Sequence, residues 1–184
     1  FTVASVIDPL TPVSGIILHG EDKKTFSYAV NITGVSGSVT EHRLLVQGQA
    51  AGAIIALKLF DGNNNFIAQA NVSGGVVTIV TNDAVSAGTQ KFYSIKPVVS
   101  VMTGDVSRRD FTIVLDAVKA VSIANEQKTD GTDRIANPFT VFKSSMTITQ
   151  VPLVATPIVD SVWMNAYKWN ETAAAFGPMA TKNR

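Results

Sequence analysis

Residues 61–65, read as DGNNN, place side-chain oxygens at a spacing that suits a metal ion. Asp61, Asn63 and Asn65 stand at the i, i+2 and i+4 positions with which a calcium loop begins. In such a loop, alternate oxygen-bearing side chains converge on one cation. These three residues are therefore the predicted ligands if the chain binds calcium, which is the one cofactor that the sequence suggests.

The rest of this stretch departs from the calcium pattern. The sixth position, where a glycine is expected, holds Phe66, and the twelfth position, where an acid is expected, holds Val72. A second loop, such as one carrying Asp130 or Asp133, would have to supply further charge. Because Asp-Gly between two alternating apolar runs is a strong hairpin signal, the pattern favours a plain turn without a cofactor.

Three Asn-X-Ser/Thr triplets, beginning at Asn31, Asn71 and Asn170, are candidate glycosylation sites. Such triplets also arise by chance at this content of Asn, Ser and Thr, so they permit glycosylation without requiring it. Asn31 and Asn71 fall on strand faces that are predicted to point outward. This placement is consistent with glycans on a secreted β protein.

The C-terminal part of the chain is rich in aromatic residues, among them Trp163, Tyr167 and Trp169. A Trp and Tyr platform can stack on sugar rings, because flat pyranose faces meet flat aromatic faces. Aromatic-rich terminal segments more often bury themselves against their own domain or a neighbouring subunit. The pattern favours burial, and sugar binding stays open as the alternative.

Catalytic chemistry is poorly represented in the sequence. There is no cysteine, and the two histidines, His19 and His42, stand in strand-like alternations. No P-loop, GxGxxG, HExxH or GxSxG motif occurs, and the carboxylates stand singly in turns. We therefore predict that the protein is not an enzyme.

Charge and hydropathy limit the classes of partner. The formal net charge is +1 and the basic residues are scattered, so no nucleic-acid partner is predicted. No apolar run approaches the ~20 residues that a membrane span needs. The chain begins at Phe1, and we interpret it as a secreted protein after removal of a signal peptide, or as a fragment.

Period-two alternation of apolar and polar residues dominates the chain. The residues predicted to face the interior are Phe26, Tyr28, Val30 and Ile32; Phe66, Ala68, Ala70 and Val72; and Phe111, Ile113, Leu115 and Ala117. Clusters of Gly, Asn, Asp and Ser separate these runs at intervals of about eight to twelve residues. This spacing predicts an all-β fold, a β-sandwich of the immunoglobulin-like or jelly-roll type.

The organisation along the chain has three predicted parts. Residues 1–10 form an extended N-terminal segment and a possible donor strand, 11–151 form the β-sandwich domain, and 152–184 form an extended, aromatic-rich tail. The tail begins where prolines alternate with β-branched residues, which favours extended backbone. Within the domain, residues 116–128 fit either a helix or a long strand.

Three stretches of the chain, PVSGIILHGEDKKTFSYAV, IIALKLFDGNNNFIAQANV and AVSAGTQKFYSIKPVVS, carry a family resemblance. They resemble immunoglobulin-like β-sandwich modules of secreted bacterial and archaeal surface proteins, including surface-layer-like proteins. The residues that match the last strand of that pattern are Val85, Ala87, Gly88, Thr89, Lys91 and Phe92. The resemblance spans about residues 10–120 and implies a structural or adhesive surface role without a catalytic site.

The terminal segments predict that copies of the chain assemble with one another. If such a segment inserts into the sheet of the next subunit, the exposed edge gains a partner and a head-to-tail polymer follows. The apolar residues predicted at these subunit contacts are Val3, Val6, Ile7, Val154, Ile158, Val159, Trp163 and Trp169. The sequence leaves open which end donates a strand, or whether each end packs on its own domain.

The sequence thus predicts a secreted, non-enzymatic subunit of a pilus-like surface filament or a surface layer. One alternative is a carbohydrate-binding or adhesin module that uses Trp163, Tyr167 and Trp169. Another is a viral capsid or tail decoration protein, because β-sandwiches serve there too.

Overall fold

The structure is a computed structural model, and it describes residues 1–101 and 108–142. The strands in these residues are β1 (Thr2–Ile7), β2 (Gly15–Ile17), β3 (Phe26–Thr33), β4 (Gly37–Gln47), β5 (Ile54–Asp61), β6 (Phe66–Asn71), β7 (Val76–Val85), β8 (Gln90–Val99), β9 (Arg108–Ser122), β10 (Gln127–Asp130), β11 (Arg134–Ile135) and β12 (Phe139–Phe142). The helical content of the described part is one 3-10 turn at Ala51–Ala53. The all-β prediction is confirmed.

Two sheets form a sandwich-like arrangement. The first sheet has five strands in the order β1-β3-β8-β5-β6. The second has the order β2-β12-β9-β4-β7, with β10 and β11 also paired to β9. All of these pairings are antiparallel except that of β12 with β2, which is parallel.

The core lies between the inner faces of the two sheets, and β3 supplies its centre. Phe26, Tyr28, Val30 and Ile32 are fully buried, as their alternation predicted. Each such apolar side chain contributes roughly 1.5–3 kcal/mol relative to an exposed position. The polar residues between them, including Ser27, therefore point to the outer face of the five-stranded sheet.

A β-bulge changes the predicted face of β6. The register with β5 shifts between Leu59 and Phe60. Phe66, which was predicted to point inward, is 58% exposed, whereas Ile67 packs against the core. Ala68, Ala70 and Val72 also pack against the core, as predicted. The extra residue of a bulge reverses the alternation on one side of it only, so the prediction fails before the bulge and is correct after it.

A second bulge has the same effect on β9. Its register with β4 shifts between Arg43 and Leu44, so that these two neighbours face Ala117 and Leu115. Phe111, Ile113 and Leu115 are buried as predicted, but beyond the bulge Val118 is buried and Ala117 is half-buried. The predicted inward position of Ala117 is therefore wrong, and Val118 takes that place in the core.

The stretch 116–128, which fitted a helix or a strand, is β-structure. Its first part continues β9 to Ser122, and Gln127 begins β10, which pairs back onto β9. Asn125 adopts a φ of 66° in the turn between them. A left-handed residue of this kind reverses the chain tightly, and Asn tolerates it better than most side chains.

A histidine is buried in the core between the two sheets. His42 of β4 is fully buried, and its Nδ1 lies 2.8 Å from the hydroxyl of Tyr28. Its ring also meets the ring of Tyr93 edge-on, with 4.8 Å between the centroids. Nε2 has no hydrogen-bond partner among the described residues. Burial lowers the pKa of His42 to about 3, although the nearby Asp83 acts in the opposite direction.

Acidification should therefore destabilise the fold through His42. The unfolded chain takes up this proton near pH 6.5, whereas the folded chain takes it up near pH 3, so stability is complete above 6.5 and falls below it. We expect a loss of roughly 3 kcal/mol in the free energy of unfolding between pH 6.5 and pH 4. Urea denaturation at one-unit pH intervals measures this loss.

The matched variant for this experiment is His42→Asn, which keeps a hydrogen-bonding group beside Tyr28 and does not titrate. Its unfolding free energy should vary much less over the same pH range. The carboxyl groups whose pKa is lowered, those of Asp22, Asp61 and Asp130, start from an unfolded value of 3.8 and act at lower pH. Equal slopes for the wild type and the variant would show that His42 is not the group responsible.

Candidate functional site

The turn at 61–65 uses the oxygens of Asp61 internally. Asp61 Oδ1 accepts hydrogen bonds from the backbone N–H groups of Asn63 and Asn65, each at 2.8 Å, and Oδ2 accepts one at 2.9 Å from the side chain of Asn65. Asn64 has a φ of 66°. The side-chain hydrogen bond from Asn65 lowers the pKa of Asp61, with smaller contributions from the backbone bonds. These contacts are those of a self-satisfied hairpin turn.

Of the two residues suggested to help with calcium, Asp130 is engaged elsewhere. Asp130 Oδ2 accepts hydrogen bonds from the backbone N–H and the hydroxyl of Ser5, each at 2.6 Å. Asp133 lies in the exposed loop that follows. Within residues 1–101 and 108–142, no group of three or more His, Cys, Asp or Glu side chains is brought together in a way that could hold a metal ion.

The N-terminal segment pairs with its own domain. β1 runs antiparallel to β3, with Val3 opposite Ile32 and Ile7 opposite Tyr28. Val3 packs against the core, whereas Val6 and Ile7 are exposed. Residues 2–7 of this extended segment are thus an edge strand of the five-stranded sheet.

The outer edge of β1 is closed by charged side chains from the other sheet. Asp130 binds the N–H of Ser5, and Arg134 Nε donates to the carbonyl oxygen of the same residue at 2.7 Å. Arg134 also lies 3.7 Å from Asp130. A further strand could not pair with β1 at Ser5 without breaking these bonds.

Two other edges carry a similar contact. Lys23 Nζ donates to the carbonyl oxygen of Ile16 in β2 at 2.7 Å. Lys91 Nζ donates to the carbonyl oxygen of Ala84 in β7 at 3.2 Å and forms an ion pair with Asp83 at 2.6 Å. In each case an ammonium group sits against the backbone of an outermost strand, which hinders the approach of another strand.

The edge formed by β6 differs from these three. Its sequence, FIAQAN, contains no charged residue and no proline. Among the described residues, no side chain is hydrogen-bonded to its backbone. Uncharged edges without proline or a covering side chain are the ones most open to pairing with a further strand. We therefore treat β6 as the candidate functional site.

Sequence reasoning did not find the residues that close the other edges. Asp130 belongs to a predicted turn cluster, residues 128–133, and Arg134 follows it directly, whereas their partner Ser5 lies 125 residues or more away. No local sequence pattern predicts such a contact. The uncharged character of β6, in contrast, is visible in the sequence, although its position at an edge is not.

The remaining predicted residues divide between the described part and the rest of the chain. Asn31 lies in β3, and its Oδ1 is buried without a partner in the described region. Asn71 is exposed at the end of β6. The other predicted positions lie outside the described residues: Val154, Ile158, Val159, Trp163, Tyr167, Trp169 and Asn170. Among the residues that the structure describes, no helix is long and apolar enough to cross a membrane.

Comparisons with known proteins find similarity in structure and none in sequence. No protein-family model matches the chain, and no curated protein matches it. A cohesin module from a Clostridium perfringens family 33 glycoside hydrolase is similar with a TM-score of 0.40 and 13% identity, over 77% of this chain and 96% of that one.

A pilin subunit and a fimbrial subunit are also similar. For the major pilin subunit of Bacillus cereus the TM-score is 0.36 and the identity 11%, over 77% of this chain and 40% of that one. For the self-complemented major subunit of Myf fimbriae from Yersinia enterocolitica the values are 0.28 and 11%, over 76% of this chain and 98% of that one. These similarities concern a β-rich architecture alone.

We expect the closure of the β1 edge to contribute measurably to stability. Asp130→Ala removes two charge-assisted hydrogen bonds to Ser5 and leaves Arg134 without its carboxylate. The expected loss in unfolding free energy is about 2 kcal/mol. Urea denaturation measures it, and amide hydrogen exchange should show faster exchange in β1 than in β5.

The control for this variant is Asp133→Ala, because Asp133 is exposed and its described hydrogen bond runs through its backbone carbonyl. It should leave both the stability and the exchange of β1 within about 0.5 kcal/mol of the wild type. If the two variants were equally stable, the Asp130 contacts would not hold β1 in place.

Proposed function

We propose that this protein is a non-enzymatic structural subunit, secreted to the cell surface, that assembles with copies of itself into a filament or layer. In this proposal a terminal strand of one copy adds to the β6 edge of the next, and no cofactor is required. The observation that carries the proposal is the contrast between β6 and the three edges at which charged side chains bond to the backbone.

The hydrogen-bonding direction along β6 supports its role as an acceptor. The N–H of Val72 donates to the carbonyl oxygen of Ile55 at 2.9 Å. This bond shows which residue pairs of β5 and β6 are hydrogen-bonded to each other and which are not. Because antiparallel pairs alternate, the backbone groups of Gln69 and Asn71 point away from β5. An added strand would meet these groups and extend the five-stranded sheet.

The phase of this ladder agrees with the neighbouring pair. Pro97 of β8 lies opposite Leu57, and Leu57 lies opposite Ala70. Because Pro97 has no N–H to donate, Leu57 and Pro97 cannot be a hydrogen-bonded pair of the antiparallel ladder. The backbone N–H and C=O of Leu57 therefore point towards β6 rather than towards β8. Two independent observations thus place the backbone groups of β6 that point away from β5 at the same positions.

The donor is a terminal strand of a neighbouring copy, and two segments are candidates. Residues 1–10 contain β1, which carries the apolar residues Val3, Val6 and Ile7. In the isolated chain, however, Ser5 is held by Asp130 and Arg134, so donation would cost these bonds. The segment 152–184 is the second candidate, with Val154, Ile158 and Val159 as the predicted apolar contacts.

Proline at the centre of the β6 edge tests the acceptor. In Gln69→Pro the N–H that faces the open edge is lost, whereas the bonds to β5 made by neighbouring residues remain. We expect the purified variant to stay folded, with a melting temperature close to that of the wild type, and to form no polymer by negative-stain electron microscopy. Gln69→Ala, which keeps the N–H, should polymerise like the wild type.

Truncations identify the donor. Loss of polymers after deletion of 152–184 would assign the donor strand to the tail, and loss after deletion of 1–10 in a chain that still folds would assign it to β1. Polymers that persist in both truncations would disprove terminal strand exchange. A wild-type protein that stays monomeric at every concentration tested would disprove the structural role itself.

A further inference from the structure

A cleft opens on the outer face of the five-stranded sheet, next to the turn at 61–65. Its volume is about 490 Å3, within the range of ~300–1,000 Å3 that is typical of small-molecule sites. The floor is formed by β3 and β8, and the walls by the 61–65 turn and by the loops on either side of β2. Of the described residues discussed above as possible site residues, only Asp61 of the 61–65 turn lines the cleft.

Two serines form the floor of the cleft. Ser27 and Ser94 are directly opposite each other in the pairing of β3 with β8, and they are 1% and 7% exposed. The hydrogen bonds of Ser27 in the described part run through its backbone, to Asp8 and to Thr11. Neither serine hydroxyl has a partner among the described residues. Of the side chains that the structure describes, the fully buried polar atoms without a partner are Asn31 Oδ1 and His42 Nε2, so each serine hydroxyl reaches solvent and can bond to water or to a ligand.

An aromatic wall stands beside these hydroxyls. Phe92, two residues before Ser94 on the same face of β8, lines the cleft and is 40% exposed. The turn approaches it closely, because a Cβ placed on Gly62 would lie 3.2 Å from Phe92 Cβ. The cleft therefore offers a hydrogen-bonding floor and an apolar side wall, both fixed by strand backbone.

The charges around the cleft leave it close to neutral. Asp22 is paired with Lys58 at 3.1 Å and with Lys96 at 3.0 Å, and Asp61 is engaged by its own turn. The carboxylate of Asp61 keeps its charge, and the excess positive charge of the group formed by Asp22, Lys58 and Lys96 offsets it. The other charged groups on the lining are one carboxylate, Asp8, and one ammonium, Lys24.

In the described contacts, Asp8 uses one of its two carboxylate oxygens to accept a hydrogen bond from its own loop. Its Oδ1 accepts the N–H of Leu10 at 2.9 Å, which leaves Oδ2 as an acceptor at the rim. An anionic ligand would face this carboxylate and a cationic ligand would face Lys24. A neutral ligand with many hydroxyl groups meets neither penalty and can bond to both.

We propose that this cleft binds a neutral carbohydrate. A sugar ring has an apolar face that can lie on Phe92 and a hydroxyl edge that can bond to Ser27, Ser94 and Asp8. The site is already shaped, since its floor is sheet and its walls are held by ion pairs and turn hydrogen bonds. The proposal does not depend on polymerisation, and it uses residues away from Trp163 and Trp169.

A glycan array that carries neutral, acidic and amino glycans provides the first test, with the full chain as the probe protein. We expect retention of neutral glycans and not of acidic or amino ones. Titration calorimetry with the best neutral glycan then compares variants. Phe92→Ala and Ser94→Ala should each weaken binding about fivefold, the change expected for one aromatic contact or one hydrogen bond.

The matched control is Phe66→Ala, since Phe66 is an exposed aromatic side chain that does not line the cleft. It should bind as the wild type does, and so should Gln69→Pro, which separates this site from the assembly edge. Melting temperatures confirm that each variant is folded. The proposal is overturned if no neutral glycan is retained, if Phe66→Ala weakens binding as much as Phe92→Ala, or if Trp169→Ala abolishes binding while Phe92→Ala does not.

Discussion

Every β-sheet ends in backbone N–H and C=O groups that lack a neighbouring strand, and the treatment of these groups shapes the exterior of this molecule. Among the described residues, the outermost strands of the two sheets are β1, β6, β2 and β7, together with the short β10 and β11, which pair with β9 alone. Charged side chains bond to the backbone of three of them. Asp130, Arg134, Lys23 and Lys91 thus protect the backbone of β1, β2 and β7, and β10 and β11 carry charged residues of their own. The uncharged β6 is therefore a distinctive edge among the described strands.

One hairpin connects the two surface features of the molecule. Its second strand is β6, and its turn forms a wall of the cleft through Asp61, Gly62 and Asn64. Asp61 stiffens that turn by accepting three hydrogen bonds. The stretch that looked most like a metal loop therefore has a structural effect: it sets the end of the β6 edge and the shape of the adjacent cleft.

Much of the architecture was predictable because alternation reports directly on burial. The pattern around Phe26 and Tyr28 identified a central strand correctly, since nothing interrupts its period of two. The prediction failed at Phe66 and at Ala117, where bulges reverse the faces, because a bulge depends on strand pairing that the sequence does not display. The cleft could not be predicted either, because its floor arises from the pairing of Ser27 with Ser94, two residues that are far apart in the sequence.

The hydrogen bonds that Asp130 and Arg134 make to Ser5 of β1 affect the order in which the chain folds. Ser5 is secured by residues 125 and 129 positions further along the chain, so its fastening requires nearly the whole domain to have been made. Contacts of such long sequence separation form late, since the loop they close carries a large entropic cost. β1 can therefore pair with β3 before Asp130 and Arg134 are in place, and during that interval its outer edge at Ser5 stays open to a strand of another molecule.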